Sequence, residues 1–213
     1  MRKPVSMIVI VLIILGIIWI AYSYFSVRGI EHPKYVVLKK YHGYEIREYD
    51  SHLVAEVIVK GTQKESLRSG FKKLFDYISG NNAKQESIEM TTPVTQQPQE
   101  QSESIAMTAP VMQEQRENEY VVSFMMPSNY TLDSIPMPKD PAVTIVQKEK
   151  YKAAVLRFAG YATEDKIIKK QARLKELLTA DGYEMQSSAH MAFYNPPWTP
   201  PFMRRNEVMY LIQ

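Results

Sequence analysis

The protein contains no cysteine among its 213 residues. Disulfide frameworks, zinc ribbons and thiol nucleophiles are therefore excluded. The sequence also lacks the Gly-x-Ser-x-Gly and P-loop spacings, and no pair of carboxylates stands out among its 23 acidic residues. We therefore expect a protein that is not an enzyme.

Neither sign of charge dominates the chain. The 26 Lys and Arg residues against 23 Asp and Glu residues leave a net charge of +3. No basic stripe with interleaved aromatic residues is present, so we expect no nucleic-acid partner. Hydrophobic residues make up 45% of the sequence, and in a chain of this length that fraction is enough for one sizeable core.

One long apolar run carries no charge at all. Val5 to Val27 is 23 residues of mainly Ile, Val and Leu. As a helix this run would extend roughly 34 Å, against a hydrocarbon core of about 30 Å. Trp19, Tyr22 and Tyr24 lie towards one end, where aromatic rings prefer the membrane interface. A cleaved signal peptide is the alternative, but its apolar region is usually about 7–15 residues long, so we favour an uncleaved anchor.

The predicted organisation has three segments: an anchor at residues 1–28, a linker at 29–42 and a folded domain at 43–213. Basic residues stand on both sides of the apolar run, so charge counting leaves the orientation open. As a default we take a single-pass membrane protein with its short basic tail inside and its domain on the extracytoplasmic side.

The first part of the domain shows strand and helix patterns in turn. Tyr44–Tyr49 and Leu53–Lys60 are rich in β-branched and aromatic residues, which predicts two strands. Thr62–Ser79 begins with Thr62-x-x-Glu65, a capping box, and then shows apolar residues at helical spacing. The spacing predicts a helix with one apolar face made of Leu67, Phe71, Leu74, Phe75 and Ile78.

Three further strands are predicted in the second part of the chain. They are Tyr120–Met126, Met191–Tyr194 and Glu207–Ile212. A long connection, Pro127–Pro141, follows the first of them and is interrupted by prolines.

The pattern of the first half of the domain repeats in the second half. A shift of 99 residues places the first strand pair on a second pair, and a shift of 100 places Leu67 on Ile167 and Leu74 on Leu174. Two half-units that cannot bury their apolar faces alone would pack together as one domain. We therefore expect an α+β fold made by internal duplication of a β-β-α-β-β unit. It would be a mainly antiparallel sheet or distorted barrel with two helices across it.

A five-residue phrase, Met-Thr-x-Pro-Val, occurs at Met90–Val94 and again at Met107–Val111, with a polar stretch between the copies. The pattern predicts that each copy of the phrase forms a strand and that the polar stretch between them forms a connecting loop. Further motifs follow at Phe124–Ser128, Pro136-x-Pro138, Tyr194–Pro197 and Arg204–Val208. In this order, over about residues 35–213, the motifs resemble the SOUL haem-binding protein family.

The resemblance implies a monomeric, pseudo-twofold α+β domain that binds haem or a related tetrapyrrole without catalysis. It also implies an apolar surface groove between the first helix of the domain, here Thr62–Ser79, and the loop before the last strand, here Asn195–Arg204. Family members generally share no obvious axial ligand, so no obligatory protein ligand to the iron is expected.

These two segments contain residue types that suit a flat ligand with carboxylates. The loop holds four prolines, which lose little further backbone entropy on binding. Aromatic rings offer flat faces to a macrocycle, and a guanidinium pairs with a propionate. The predicted ligand surface is Arg68, Phe71, Phe75, Trp198, Phe202 and Arg204.

Some of these residues also fit simpler roles. Phe71 and Phe75 match a core stripe, and Arg68 matches a solvated helix position. Asp76 and the Trp198-Thr199 pair stand where family members often carry basic residues, which removes positive charge from the predicted groove.

Several side chains in the sequence are of a type that ligates haem iron. Met90 and Met107 carry sulfur that can do so, although packing as a buried gap-filler is favoured. Each of the four histidines stays open as an axial ligand, but none has a metal-binding spacing, so no metal site is predicted: His32, His42, His52 and His190.

Two other functions remain open at this stage. The domain could bind other amphipathic small molecules, because an aromatic groove is not specific for haem. It could also be a protein-interaction module that uses its Pro-rich loop and Gln-rich segment. The expected partners of the favoured function are a tetrapyrrole and, through the anchor, a membrane.

Overall fold

The computed structural model describes residues 3–84 and 102–213, without the side chains of residues 3–6. The first copy of the repeated phrase, Met90–Val94, lies outside the described residues. Three helices are present in this part of the chain: α1 at Lys3–Ser26, α2 at Gln63–Ile78 and α3 at Glu164–Ala180. A short 3-10 turn at Pro201–Met203 precedes the last strand.

Nine strands form one curled antiparallel sheet that resembles half of a barrel. The strands in chain order are β1 Tyr35–Lys40, β2 Glu45–Tyr49, β3 His52–Lys60, β4 Asn82–Ala83, β5 Val111–Arg116, β6 Glu119–Met125, β7 Met137–Pro138, β8 Val143–Lys148, β9 Tyr151–Phe158, β10 His190–Phe193 and β11 Asn206–Ile212. The spatial order of the nine-stranded sheet is β1-β2-β9-β11-β10-β5-β6-β3-β8, and the remaining two strands, β4 and β7, pair separately.

Without the edge strand β1, the strand order is symmetric about the contact between β5 and β10. Exchanging β2 with β8, β3 with β9, β5 with β10 and β6 with β11 gives the same order read from the other end. The helices follow the same exchange, because α2 packs on β3 and β6 while α3 packs on β9 and β11. This arrangement is the α+β architecture that the sequence predicts. An origin by duplication stays a prediction.

Two apolar cores lie between the sheet and its helices. Under α2, Ala55, Val57 and Val122 pack against Leu74 and other buried side chains of the helix. A separate set under α3 contains Ile167, Leu174, Leu178, Leu156, Val208 and Tyr210. Alternate residues of the same strands point to the opposite, concave face, as the period of two in a strand requires.

The predicted helix start is confirmed in atomic detail. Thr62 is the N-cap of α2: Glu65 N donates to Thr62 Oγ1 at 3.4 Å, and Thr62 N donates to Glu65 Oε2 at 3.1 Å. The five strands predicted with bounds agree with β2, β3, β6, β10 and β11 to within a residue at each end. The helix of the second half, α3, ends with Asp181 as its C-cap.

Three expectations about connecting segments need correction. The predicted linker 29–42 contains β1, because the Tyr-Val-Val-Leu run at residues 35–38 pairs with β2 at the sheet edge. The long connection at 127–141 contains β7, which pairs with β4. Met107–Val111 is not a strand: β5 begins only at its last residue. The family phrase therefore leads into a strand, with its proline just outside the ladder.

Helix α1 is apolar on all sides and mostly exposed. Its segment Met7–Ser26 is long and apolar enough to cross a membrane by length and composition, a test that a signal sequence also passes. It touches the domain near its end: Trp19 Nε1 donates to the carbonyl oxygen of Trp198 at 2.7 Å, and Ser23 is fully buried.

The close approach of α2 to β6 generates a stability prediction. A Cβ at Gly70 would lie 2.6 Å from the Cβ and Cγ2 atoms of Val122. Gly70→Ala should therefore lower the free energy of unfolding by about 1–3 kcal/mol through overpacking, although the same change in an open helix position raises stability. Urea unfolding followed by circular dichroism measures the effect. Ser69→Ala, at the exposed neighbouring position, is the control, and equal stability of both variants would contradict the packing shown here.

Candidate ligand-binding site

The outer face of α2 carries two exposed aromatic rings. Phe71 and Phe75 are 36% and 47% exposed, and their rings stack with centroids 5.8 Å apart and planes 10° from parallel. Phe71 also packs edge-on against Phe124, with centroids 5.3 Å apart. The core-stripe interpretation of these two residues is therefore wrong, because Leu74, Tyr77 and Ile78 fill the core instead.

Arg68 lies on the same face of α2 and is exposed. It precedes Phe71 by three residues and Phe75 by seven, a spacing that places all three side chains along one stripe of a helix. The structure therefore brings together the three predicted site residues of this helix. A flat apolar ring lying on the phenyl groups would have its edge within reach of this guanidinium.

The second group of predicted residues lies in the loop Asn195–Arg204. Trp198 and Phe202 are 50% and 69% exposed, whereas Thr199 and Pro200 between them are buried and hold the loop in place. Within residues 3–84 and 102–213, no hydrogen bond, ion pair or ring contact joins this loop to the α2 stripe. The two parts of the predicted surface are thus each formed, and they make no direct contact with one another.

Arg204 has a role that the sequence did not reveal. Its Nε donates to the carbonyl oxygen of Thr199 at 2.8 Å, a terminal nitrogen donates to that of Pro197, and the guanidinium lies 4.5 Å from the ring centroid of Tyr161. Arg204 therefore shapes the loop from inside. Its remaining N–H groups are those with which it would meet a propionate, as the sequence predicts.

The phrase Met107–Val111 has a structural function. Thr108 Oγ1 donates to the carbonyl oxygen of Met125, and Ala109 N donates to that of Glu31 at 3.0 Å. The segment therefore pins the chain before β1 and the end of β6 to each other. Met107 itself is exposed, so its interpretation as a buried gap-filler is wrong.

Below the loop, a buried charge network joins β2 to β11. Glu207 is completely buried. It accepts hydrogen bonds from Arg47 Nη1 at 3.1 Å, from Arg205 Nε at 2.9 Å and from the hydroxyl of Tyr194 at 2.8 Å. Burial alone would lower the pKa of Arg47, but the Glu207 carboxylate raises it above its usual value. The charged residues of the motif Arg204–Val208 therefore have structural roles: Arg205 and Glu207 form part of the buried network, and Arg204 shapes the loop.

The base of the loop is tied directly to this network. Tyr194 N donates to the carbonyl oxygen of Arg205 at 3.2 Å, and Arg205 N donates to Asn195 Oδ1 at 2.7 Å. Burial raises the pKa of Tyr194, and the neighbouring Glu207 raises it further, so its hydroxyl stays a hydrogen-bond donor. The network therefore closes the loop where it leaves β10 and enters β11.

The concave face of the sheet contains a cavity of about 350 Å³ that the sequence did not predict. Val54 and Glu56 on β3 line it and alternate with Ala55 and Val57, which pack under α2. Its floor is apolar, with side chains that come from three different strands: Met112, Val121, Met209 and Leu211. An apolar floor with a few polar groups is typical of small-molecule sites.

Ion pairs and histidines stand around this cavity. Glu56 pairs with Lys148 at 3.0 Å and Glu114 with Arg116 at 2.8 Å, and in both pairs the carboxylate is the more buried partner. His190 Nε2 lies 3.7 Å from Glu114 and makes no hydrogen bond among the described residues. Burial lowers the pKa of His190, an effect that Glu114 opposes.

The other histidines lie apart from the predicted ligand surface. His52 Nδ1 is 2.8 Å from the carbonyl oxygen of Asp50 and also lines the concave cavity. His32 Nδ1 is 3.1 Å from the carbonyl oxygen of Ala109, and His42 is exposed. Over residues 3–84 and 102–213, no group of three metal-ligating side chains is present.

A curled antiparallel sheet crossed by two helices makes this an α+β domain, and exposed aromatic side chains stand on one helix and one loop. A family model described as SOUL heme-binding protein matches residues 30–211. The chain therefore belongs to the SOUL family. The match includes β1, in agreement with the corrected start of the domain.

Individual relatives agree with this membership. Heme-binding protein 1 of Xenopus laevis is 29% identical over 172 residues, which covers 79% of this chain and 83% of the relative. Heme-binding protein 2 of Homo sapiens is 28% identical over 172 residues, or 80% of this chain and 78% of the relative. The crystal structure of the EcmrR C-terminal domain is similar in fold alone, with a TM-score of 0.54, 10% identity and coverage of 80% and 96%.

The buried network predicts that the single negative charge of Glu207 has a large effect on the free energy of unfolding. Glu207→Gln should lower the free energy of unfolding by about 3–5 kcal/mol, because Arg47 and Arg205 lose their buried counter-ion. Chemical denaturation measures this. Glu119→Gln removes the same group from an exposed pair with Lys60, 3.6 Å apart, and should cost less than about 1 kcal/mol. Equal effects of the two variants would show that the Glu207 network contributes no more than a surface pair.

Proposed function

We propose that this domain binds haem or a related tetrapyrrole, without catalysis, on the surface formed by the outer face of α2 and the loop Asn195–Arg204. The single observation that carries the proposal is the exposed, stacked pair Phe71 and Phe75. Membership of the SOUL family and the names of the relatives support the ligand class.

The residues present fit the chemical groups of haem. Haem has a flat apolar ring, propionates at one edge and an iron that can take axial ligands. Two stacked phenyl rings present a flat apolar face, and covering it with another ring gains about 25 cal/mol for each Å² removed from water. Arg68 on the same stripe suits a propionate. No axial ligand is required for this mode of binding, because burial of the ring supplies the free energy.

The finer features of the proposal concern the rest of the chain. Helix α1 would anchor the protein in a membrane as a single span, with the domain on the extracytoplasmic side and in monomeric form. A hydrophobic macrocycle partitions into bilayers, so the anchor would hold the binding surface where the ligand is concentrated. The symmetric strand order supports the inference that the two halves of the domain derive from one duplicated unit.

The concave cavity favours a second candidate function. Its volume of about 350 Å³, its apolar floor and its two partly buried carboxylates, Glu56 and Glu114, would suit another amphipathic small molecule. None of the six predicted haem-surface residues lines this cavity. The two candidate functions therefore use different residues and can be separated by mutation.

Titration of hemin into the protein tests the role of the guanidinium on α2. Arg68→Ala should weaken binding by about 1–3 kcal/mol, because a charged hydrogen bond to a propionate is lost. The measurement is the saturable Soret shift, repeated with metal-free porphyrin as competitor. Arg173→Ala, an exposed arginine on α3, is the control. Arg204→Ala is less informative, because Arg204 also shapes the loop. Equal affinity of Arg68→Ala and the parent protein would remove the proposed role.

The choice between the two faces has a test of its own. Phe75→Ala removes half of the stacked pair, and Ser123→Trp fills the concave cavity from its wall. We expect Phe75→Ala to weaken hemin binding clearly and Ser123→Trp to leave it unchanged. Circular dichroism of both variants checks that they fold. The reverse result would move haem binding to the concave face and contradict the surface proposed here.

A further inference from the structure

The backbone of the loop Asn195–Arg204 has unusually few polar groups left for water. Six consecutive carbonyl oxygens, those of residues 196–201, all accept hydrogen bonds from within the protein. Thr199 N donates to the carbonyl oxygen of residue 196, a terminal nitrogen of Arg204 to that of residue 197, and Trp19 Nε1 to that of residue 198. Arg204 Nε donates to the carbonyl oxygen of residue 199 and Met203 N to that of residue 200. The carbonyl oxygen of residue 201 accepts from both Gly160 N and Arg204 N.

The same stretch is poor in backbone donors. Four of its six residues are proline and have no N–H group, and the N–H of Thr199 donates to Pro196 at 3.1 Å. An exposed loop normally leaves such groups to water. In a bilayer, by contrast, each unsatisfied backbone group costs several kcal/mol. The hydrogen bonding of the carbonyl oxygens of residues 196–201 is therefore the kind that a lipid environment requires.

The side chains of the loop suit the same environment. Trp198 and Phe202 project at its tip, and Tyr161 beside it is also exposed. Trp and Tyr prefer the interface between lipid and water. Residues 195–204 contain no acidic group and one cation, Arg204, whose long side chain suits the level of phospholipid headgroups.

The contact with α1 fixes the depth of the loop. The apolar stretch Met7–Ser26 has 20 residues, about 30 Å of helix. Trp19 precedes the end of α1 at Ser26 by seven residues, or about 10 Å along the axis. Because Trp19 bonds directly to Trp198, a helix that crosses the membrane along its normal carries Trp198 to a similar depth.

We infer that the tip of this loop, with Trp198 and Phe202, inserts into the interface of the bilayer that holds α1. Trp19 supplies the carbonyl oxygen of Trp198 with a donor at a depth where water is scarce. The predicted ligand surface would then adjoin lipid, and its ligand would arrive from the bilayer. This inference rests on the proposed membrane anchor.

The two tryptophans of the chain, Trp19 and Trp198, make a direct test possible. The full-length, ligand-free protein is placed in phosphatidylcholine and phosphatidylglycerol vesicles that contain lipids brominated at shallow, middle or deep acyl positions. Trp198→Phe reports Trp19 alone, and Trp19→Phe reports Trp198 alone. We expect a loss of fluorescence in both variants, greatest for both with the same bromine position.

Trp19→Phe also removes the donor to Trp198, so Trp198 is read a second time with the bond intact, as the difference between the wild type and Trp198→Phe. A control for the domain uses Asn118→Trp in the doubly substituted background. Residue 118 is at the β5–β6 hairpin, at the opposite end of β5 from the pair of Val111 with Phe193. Its fluorescence should not be quenched.

The outcomes separate this inference from the proposal on which it rests. Quenching of both tryptophans without quenching of the Asn118→Trp variant supports it. Quenching of Trp19 alone would overturn the inserted loop and leave the anchor in place. Quenching of neither would overturn the anchor and the inserted loop together.

Discussion

The carboxylate of Glu207 is the constraint on which much of this structure depends. It is completely buried and would be very unfavourable alone, so Arg47, Arg205 and Tyr194 must all be brought to it. These partners come from β2 and from the residues on either side of the loop, and Glu207 itself lies in β11. The hydrogen bonds of these partners to Glu207 hold the inner strands against each other. They also close the base of the loop that carries Trp198. The proposed ligand surface therefore depends in part on a buried charge that is not among its own residues.

The curl of the sheet divides the molecule into two faces with different uses. Both helices cover one face, where the two apolar cores absorb most of the aliphatic side chains. The other face holds the charge network and, beyond it, an open cavity. Leu74, Tyr77 and Ile78 are the apolar side chains of α2 that the core buries, whereas the aromatic pair on that helix is exposed. An apolar pair that packing does not require is a reasonable place to look for a ligand.

Local sequence patterns predicted the elements well, for identifiable reasons. The capping box of α2 acts within four residues, and the strands follow from short β-branched runs, so neither depends on distant contacts. β1 was missed as a strand because it lies at the edge, with a mostly exposed burial pattern. The exposure of Phe71 and Phe75, the second role of Arg204 and the concave cavity all depend on contacts between distant parts of the chain. Residue spacing carries no information about them.

The central claim is that a tetrapyrrole lies against α2 and the loop. Fluorine NMR tests it directly on full-length protein in which Trp19 and Trp198 are 5-fluorotryptophan and each phenylalanine is 4-fluorophenylalanine, with assignment by substitution. Binding of a diamagnetic porphyrin should shift the resonances of Phe71, Phe75 and Trp198 through the ring current, up to saturation. Unchanged resonances at those positions, while the absorbance of the same sample shows saturated binding, would contradict the account.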